Sequence, residues 1–255
     1  MFDFIIKNSK TFEIIIGTSF VIVAIILLIF AYKYERRQKA NSSPMKKMTA
    51  LSILAALSVV LYYFIKFPIT YILPFMPPFL EIHFSAVPIY IAGFLFGPLS
   101  GAVVAVLRFL AKLPGTTTMG VGELQDLIIG LLTVVVASLI YHKIKTKKGS
   151  VIALSSTVII WTFVSVITNW LFIVPFYISL YFGGDASAFT QMLSKLPGVD
   201  NNYMLAYILY AVIPFNLIIS TLSSVITFLV YKRVSIAYDT VGRFENIESK
   251  RINLK

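Results

Sequence analysis

Helix-length apolar runs recur along this chain and leave it few ways to fold; FVIVAIILLIFAY at residues 20–32 and LIIGLLTVVVASLIYH at 127–142 are two of them. Hydrocarbon offers the backbone no hydrogen-bond partner, so only an intact helix of roughly 20 residues or a closed barrel can cross it. The runs lack the alternation over about ten residues that barrel strands carry. Hydrophobic residues fill 58% of the 255 positions and charged residues 13%, too little charge to solvate a soluble domain of this length. The expected class is an all-α membrane protein.

The pattern predicts spans at about 12–32, 48–65, 85–96, 98–113, 122–142, 150–173 and 203–231. The third and fourth are short and meet at Gly97-Pro98, which predicts a hairpin or a pair of re-entrant halves. The first has a long apolar run, carries Glu13 and lacks a small-residue cleavage site, so it reads as a retained helix rather than a signal peptide. Lys33, Arg36, Arg37, Lys39, Lys46 and Lys47 crowd the first linker. Lys143, Lys145, Lys147 and Lys148 follow the fifth span, and Lys232-Arg233 follows the last. Cytoplasmic loops retain such charge, which puts the N-terminus outside and the C-terminus in the cytoplasm. Lys66, Lys112 and Lys195 read as isolated cations of the opposite loops, and the longest of these, about 182–202, reads as a lid. The net charge of +11 is thus spread between apolar runs rather than gathered on a nucleic-acid-binding face.

Much chemistry is missing. There is no cysteine and no G-x-x-x-x-G-K-[ST] loop to cradle a nucleotide. His83 and His142 stand apart without metal-ligand spacing, so no metal site is expected. No catalytic residue is assigned. Glu123 and Asp126 share a helix face at i, i+3, and an intramembrane enzyme built on them is the alternative of a different class.

Polar groups at membrane depth are expensive and read by default as lining a cavity or pathway. Arg108 lies within AVVAVLRFLAKL, where it needs an anion or outward snorkelling. GTTTMGVGELQD, with Thr117, Gly122, Glu123 and Asp126, offers hydroxyls, flexible backbone and carboxylates at a helix start. Asn169 and Trp170 precede Val174-Pro175, and Asn216 follows Pro214; an amide there can donate and accept together to a heterocycle. Tyr62, Phe79, Trp170 and Tyr177 are core or interfacial aromatics with the shape to stack on a planar ligand. TALSILAALS and GPLSG carry small residues at close-packing spacing, usually a sign of internal packing.

The stretch from Lys66 to Gly130, KFPITYILPFMPPFLEIHFSAVPIY through GTTTMGVGELQDLIIG, resembles the substrate-binding S components of energy-coupling-factor (ECF) vitamin transporters, most closely the riboflavin-specific kind. NWLFIVPFY (169–177) and IPFNLIISTLSSVITFLVYKR (213–233) are similar to that subfamily's fifth and sixth helices. The resemblance covers about 48–233 and implies a six-helix vitamin-binding domain there, an extra N-terminal transmembrane helix with a basic linker at 1–47, and a cytoplasmic tail at 234–255. It implies riboflavin or FMN as ligand, no cofactor, and a transmembrane coupling subunit and two ATPase subunits as partners, so that ATP is used only by partners. FAD, pantothenate and folate remain alternatives. Ser52, Ala55 and Ala56 become the coupling-subunit contact. Binding is implied beneath the loops at about 66–84 and 114–122, with Phe79, Glu81, Arg108, Thr117, Gly122, Glu123, Asp126, Asn169, Tyr177 and Asn216 as the ligand-binding candidates. Three polar positions depart from the riboflavin pattern: Arg108-Phe109 stands where Lys-Asn is common, Gln125-Asp126 where Ala-Asn is, and Ile219 where a Lys follows PFN-x-x. Arg108 is then a possible partner for the phosphate of FMN.

Overall fold

The structure is a computed structural model that describes residues 9–36, 44–77, 79–116 and 118–252. Helix occupies each of the seven predicted segments: α1 (Ser9–Arg36), α2 (Pro44–Tyr63), α3 (Ala86–Phe96), α4 (Pro98–Lys112), α5 (Val121–Lys143), α6 (Lys147–Thr168) and, last, α10 (Ile213–Ile252) with the turns that lead into it. Among the described residues, five helical stretches are long and apolar enough to cross a membrane: Pro44–Tyr63, Pro98–Gly115, Val121–Lys143, Lys147–Phe182 and Tyr203–Tyr238. Ala86–Phe96 is apolar but shorter. The chain is thus an all-α membrane protein apart from one small ribbon, in which β1 (Lys66–Pro68) pairs antiparallel with β2 (Glu81–His83).

Two spans run further than their apolar patterns indicate. Beyond α6 the helix widens to a π-helical turn over Asn169–Ile173 and continues as α7 (Val174–Phe182). The final span starts as α9 (Tyr203–Tyr207), widens over Ile208–Val212 and continues as α10. Both wide turns lie immediately before an X-Pro step, Val174-Pro175 and Ile213-Pro214, where a missing N–H and the ring's bulk disfavour ordinary helical bonding. The 182–202 connection is not an open loop: it holds α8 (Ala186–Met192), whose Phe189 packs with Leu193, Leu196 and Val199 into a cluster of its own.

Helix α5 is central, contacting α3, α4 and α6, while α10 packs on α6 and α3, and α1 lies against α4 and α5. The α3–α4 hairpin turns at Gly97, whose φ of +112° a side chain rarely adopts. At Gly101, one turn into α4, a Cβ would come within 2.4 Å of Val134 Cγ2 and 3.0 Å of Gly93 Cα, so the GPLSG small residues serve internal packing. Glu35 at the end of α1 reaches the start of α4, accepting from the Ser100 N–H at 3.1 Å and the Ser100 hydroxyl at 2.8 Å, and it pairs with Lys47 of α2. Ser150 and Thr157 of α6 meet Tyr231 and Ser224 of α10 through hydroxyl contacts of 3.1 and 3.0 Å. These contacts gather the basic segments around Lys33, Lys46, Lys143 and Lys147 at one end of the bundle.

Candidate functional site

At the opposite end, where α2 and α4 finish and α5 begins, the helices surround a cavity of about 260 Å³. Its wall is formed by Tyr62 from α2, by Phe79, Leu80, Glu81 and His83 from the ribbon segment, and by Lys112 from the last turn of α4. Thr118, Gly122, Glu123, Gln125, Asp126 and Ile129 follow from the start of α5. Trp161, Ser165, Asn169, Ile173 and Tyr177 come from α6, its wide turn and α7. Tyr207, Val212, Phe215, Asn216 and Ile219 complete it.

Eight of the ten sequence candidates line this space: Phe79, Glu81, Gly122, Glu123, Asp126, Asn169, Tyr177 and Asn216. Thr117 lies outside the described residues. Arg108 does not reach the cavity. It is 2% exposed and is held behind the wall, with NH2 3.1 Å from Asp126 Oδ2 and NH1 donating to Ser85 Oγ at 2.8 Å. The guanidinium's cost at membrane depth is offset by a carboxylate of the chain itself, and its two terminal nitrogens are turned to Asp126 and Ser85 rather than to the cavity.

Lys112, expected as a cation of an exposed loop, is the converse. It is 4% exposed, lines the cavity, donates to Asp126 Oδ2 at 2.7 Å and sits 3.8 Å from the centre of the Tyr62 ring. Asp126 therefore joins two cations, one from behind the wall and one on it. Glu123 is also not alone, because its Oε2 accepts from the hydroxyls of Thr116 and Thr118, each at 2.8 Å. Thr118 in turn accepts from the Gly122 N–H at 3.1 Å. A Cβ on Gly122 would stand 3.0 Å from the Tyr177 hydroxyl, so a glycine here lets α5 begin against α7.

The second polar region lies at mid-helix. Asn169 starts the wide turn that follows α6, and Asn216 follows the other one. Asn169 Nδ2 donates to the Ser165 carbonyl at 2.8 Å. Asn216 Oδ1 accepts from Trp161 Nε1 at 2.8 Å and from Ser165 Oγ at 2.9 Å, while its Nδ2 donates to the Val212 carbonyl at 2.8 Å. One amide N–H of each asparagine, and Asn169 Oδ1, form no hydrogen bond among the described residues. Sequence reasoning missed Ser165 and Trp161; Trp170, read there as a core or interfacial aromatic with the shape to stack, is half-buried outside the cavity lining. A serine one helical turn before Asn169 was the available signal.

His83 closes one side. Arg108 donates to Ser85 Oγ, which lies 3.1 Å from His83 Nδ1, a distance at which a neutral imidazole can accept the Ser85 proton. Burial pushes its pKa down to about 3, against the opposing pull of Asp126. His142 sits at the far end of α5, with Nε2 3.1 Å from the Gly93 carbonyl. The 182–202 segment lies one layer out: Phe189 packs on Tyr207, with ring centres 5.8 Å apart, and Tyr207 forms the wall. On α2, Ser52 and Ala56 are exposed, whereas Ala55 is turned into the core. No group of three or more metal-ligating side chains occurs among the described residues.

The chain is similar to known proteins along most of its length. Residues 46–231 match the family described as "ECF transporter, substrate-specific component". The "Riboflavin transporter RibU" of Staphylococcus aureus (strain TCH60) is 31% identical over 199 residues, covering 78% of this chain and 95% of that protein. The "Riboflavin transporter FmnP" of Bacillus subtilis (strain 168) is 27% identical over 189 residues, 73% of this chain and 90% of that one. A solved structure described as "Structure and mechanism of the S component of a bacterial ECF transporter" superposes with a TM-score of 0.57 at 29% identity, covering 76% of this chain and 97% of that chain. With a half-open polar cavity set among apolar spanning helices, and a family match over nearly all of them, the chain belongs to the substrate-specific S components of ECF transporters, which are binding subunits of membrane transporters rather than enzymes.

Proposed function

We propose that this chain captures a flavin, with riboflavin the preferred ligand, and hands it to an ECF coupling module. The observation that carries the reading is the convergence of Asn169 and Asn216 on one cavity, each retaining amide capacity after its bonds to the protein are counted. An imide edge of a flavin alternates acceptors and a donor, which is what paired amides read. The names of the two riboflavin-transporting relatives support the same ligand.

The working architecture is a six-helix core over 48–233, α1 as an addition, and a cytoplasmic tail from 234. The N-terminus is outside and the C-terminus in the cytoplasm; gathering of the basic segments at the end opposite the cavity supports that orientation. The cavity then opens outwards. The partners are a transmembrane coupling subunit and two ATPases, with no cofactor on this chain. Ser52 and Ala56 present a small-residue face of α2 to the coupling subunit, while the inward Ala55 serves the core.

The test is fluorescence titration of the purified chain in nanodiscs. Saturable quenching of riboflavin, lost in an Asn169→Ala, Asn216→Ala double variant, is the expected result. Absence of quenching, with pantothenate, folate or FAD retained on extraction and identified by mass spectrometry, would replace riboflavin with that ligand.

A further inference from the structure

The basic end of the bundle holds a second hollow, remote from the ligand cavity. Where α2 begins, α3 ends and the spanning part of α10 finishes, an open groove of about 630 Å³ lies between the three helices. Ala50, Ile53, Leu54, Leu95 and Val234 give it hydrocarbon walls, and Ile53 is 62% exposed, so the described chain leaves this face open. Two polar groups interrupt the hydrocarbon together. Lys46 is the charged residue of the lining, and its ammonium sits 4.5 Å from the centre of the Tyr238 ring. The Tyr238 hydroxyl is buried and makes no hydrogen bond among the described residues, although a buried phenol ordinarily finds an acceptor. Phe96 packs edge-on against the same ring, with centres 4.9 Å apart, which holds the phenol in place.

We propose that this groove binds an anionic phospholipid from the leaflet at the basic end of the bundle, with an acyl chain between α2, α3 and α10, the phosphate at Lys46 and an ester or phosphate oxygen accepting from Tyr238. The apolar spans Pro44–Tyr63 and Tyr203–Tyr238 begin and end beside these two residues, which sets them at headgroup level. A lipid joins hydrocarbon, ester acceptor and phosphate in one molecule, the three chemistries that the groove, Tyr238 and Lys46 require. An ammonium has three donors, so Lys46 serves a phosphate oxygen alongside its contact within the chain. Lys232 and Arg233, both exposed, stand within a turn of the α10 wall, and their field draws a headgroup of net negative charge. A zwitterionic headgroup carries an ammonium of its own and gains less. The inference does not depend on which vitamin the chain carries.

The test is native mass spectrometry of the full chain released from detergent micelles, with phosphatidylglycerol and phosphatidylcholine of the same acyl chains titrated separately. Phosphatidylglycerol is expected to bind about five-fold or more tightly than phosphatidylcholine, and Lys46→Met to remove most of that ratio. Tyr238→Phe keeps the ring, deletes the donor and is expected to weaken both lipids by about two- to ten-fold. Ala237→Trp fills the groove from an exposed position and should weaken both without a change of charge. Lys145→Met, at the same end but outside the groove, should alter binding by less than about two-fold. Phosphatidylglycerol with a diazirine in its acyl chain locates the site on the wild-type chain, independently of how any variant folds; label on Ile53, Leu54 or Leu95 is expected. Equal affinity for the two lipids, a loss in Lys46→Met no larger than in Lys145→Met, or label confined to other helices would each overturn the proposal. So would an isolated chain that retains no lipid while a cross-linker at position 53 captures the coupling subunit in the assembled transporter, which would give the groove to that subunit.

Discussion

Asn169 and Asn216, which lie on different spans, are tied to one another through a single residue: Ser165 accepts from the Asn169 amide with its carbonyl and donates to the Asn216 oxygen with its hydroxyl. The hydroxyl fixes which way the Asn216 amide faces. Ser165→Ala removes that bond and leaves the Trp161 bond, so Asn216 is less well oriented. A loss of about ten-fold in flavin affinity is expected, with little change in melting temperature, since one hydrogen bond contributes about 0.5–1.5 kcal/mol. Titration beside a thermal-shift measurement checks both halves.

Two of the ion pairs, Lys66–Glu81 and Arg108–Asp126, differ in depth and should differ in consequence. Lys66–Glu81, at 2.7 Å, has both side chains about one-third exposed, with relative accessibilities of 35% and 36%. Lys66→Met is expected to cost at most about 1 kcal/mol. Arg108 is buried, and Arg108→Met removes one of the two cations on Asp126 and the donor to Ser85. A loss of about 3–5 kcal/mol is expected. Unfolding of the two variants in mixed micelles gives the comparison, and equal stabilities would contradict the placement of Arg108.

Gly101→Ala drives a methyl group into Val134 and is expected to destabilise the α3–α4–α5 contact by about 1–3 kcal/mol. The second-site change Val134→Ala makes room, so the double variant should lie closer to wild type than the sum of the single effects. Full additivity in a double-mutant cycle would show that the two positions do not touch.

Burial of His83, which lowers its pKa, gives stability a pH dependence of defined sign. Its folded pKa, about 3, lies below the usual 6.5, so between these values the unfolded chain binds the proton and the folded chain does not. Stability is expected to fall as pH drops below 6.5, by up to about 1.4 kcal/mol per pH unit until about pH 3. His83→Phe removes that contribution. Melting curves of both proteins from pH 7.5 to 5 should diverge in slope.

The helices could be read from the chain because an apolar run of spanning length has one stable outcome in lipid, and Gly97-Pro98 announced the hairpin. The β1–β2 ribbon could not: three-residue strands, one ending in Pro68, carry no alternation to detect. Asn169 and Asn216 were legible as amides out of place in hydrocarbon. The placements of Arg108 and Lys112 relative to the cavity were exchanged, for a physical reason. Cost at depth marks a charged residue as constrained but does not say which side of the helix its head occupies. The carboxylate that decides the matter, Asp126, belongs to the next helix, 14 residues beyond Lys112. Ser165 and Trp161 were hidden because polar atoms on an otherwise apolar helix look alike until a second helix supplies their partner.

The Glu35 carboxylate engages two other helices at once, the first turn of α4 and the start of α2. A negative group set against unsatisfied amides at a helix start is favoured by their aligned dipoles, and withdrawing it would strand Lys47 as well. This end of the first helix is therefore bolted rather than leaning. Any tilt of α2 and α4 away from α1 must first break these contacts of a single carboxylate.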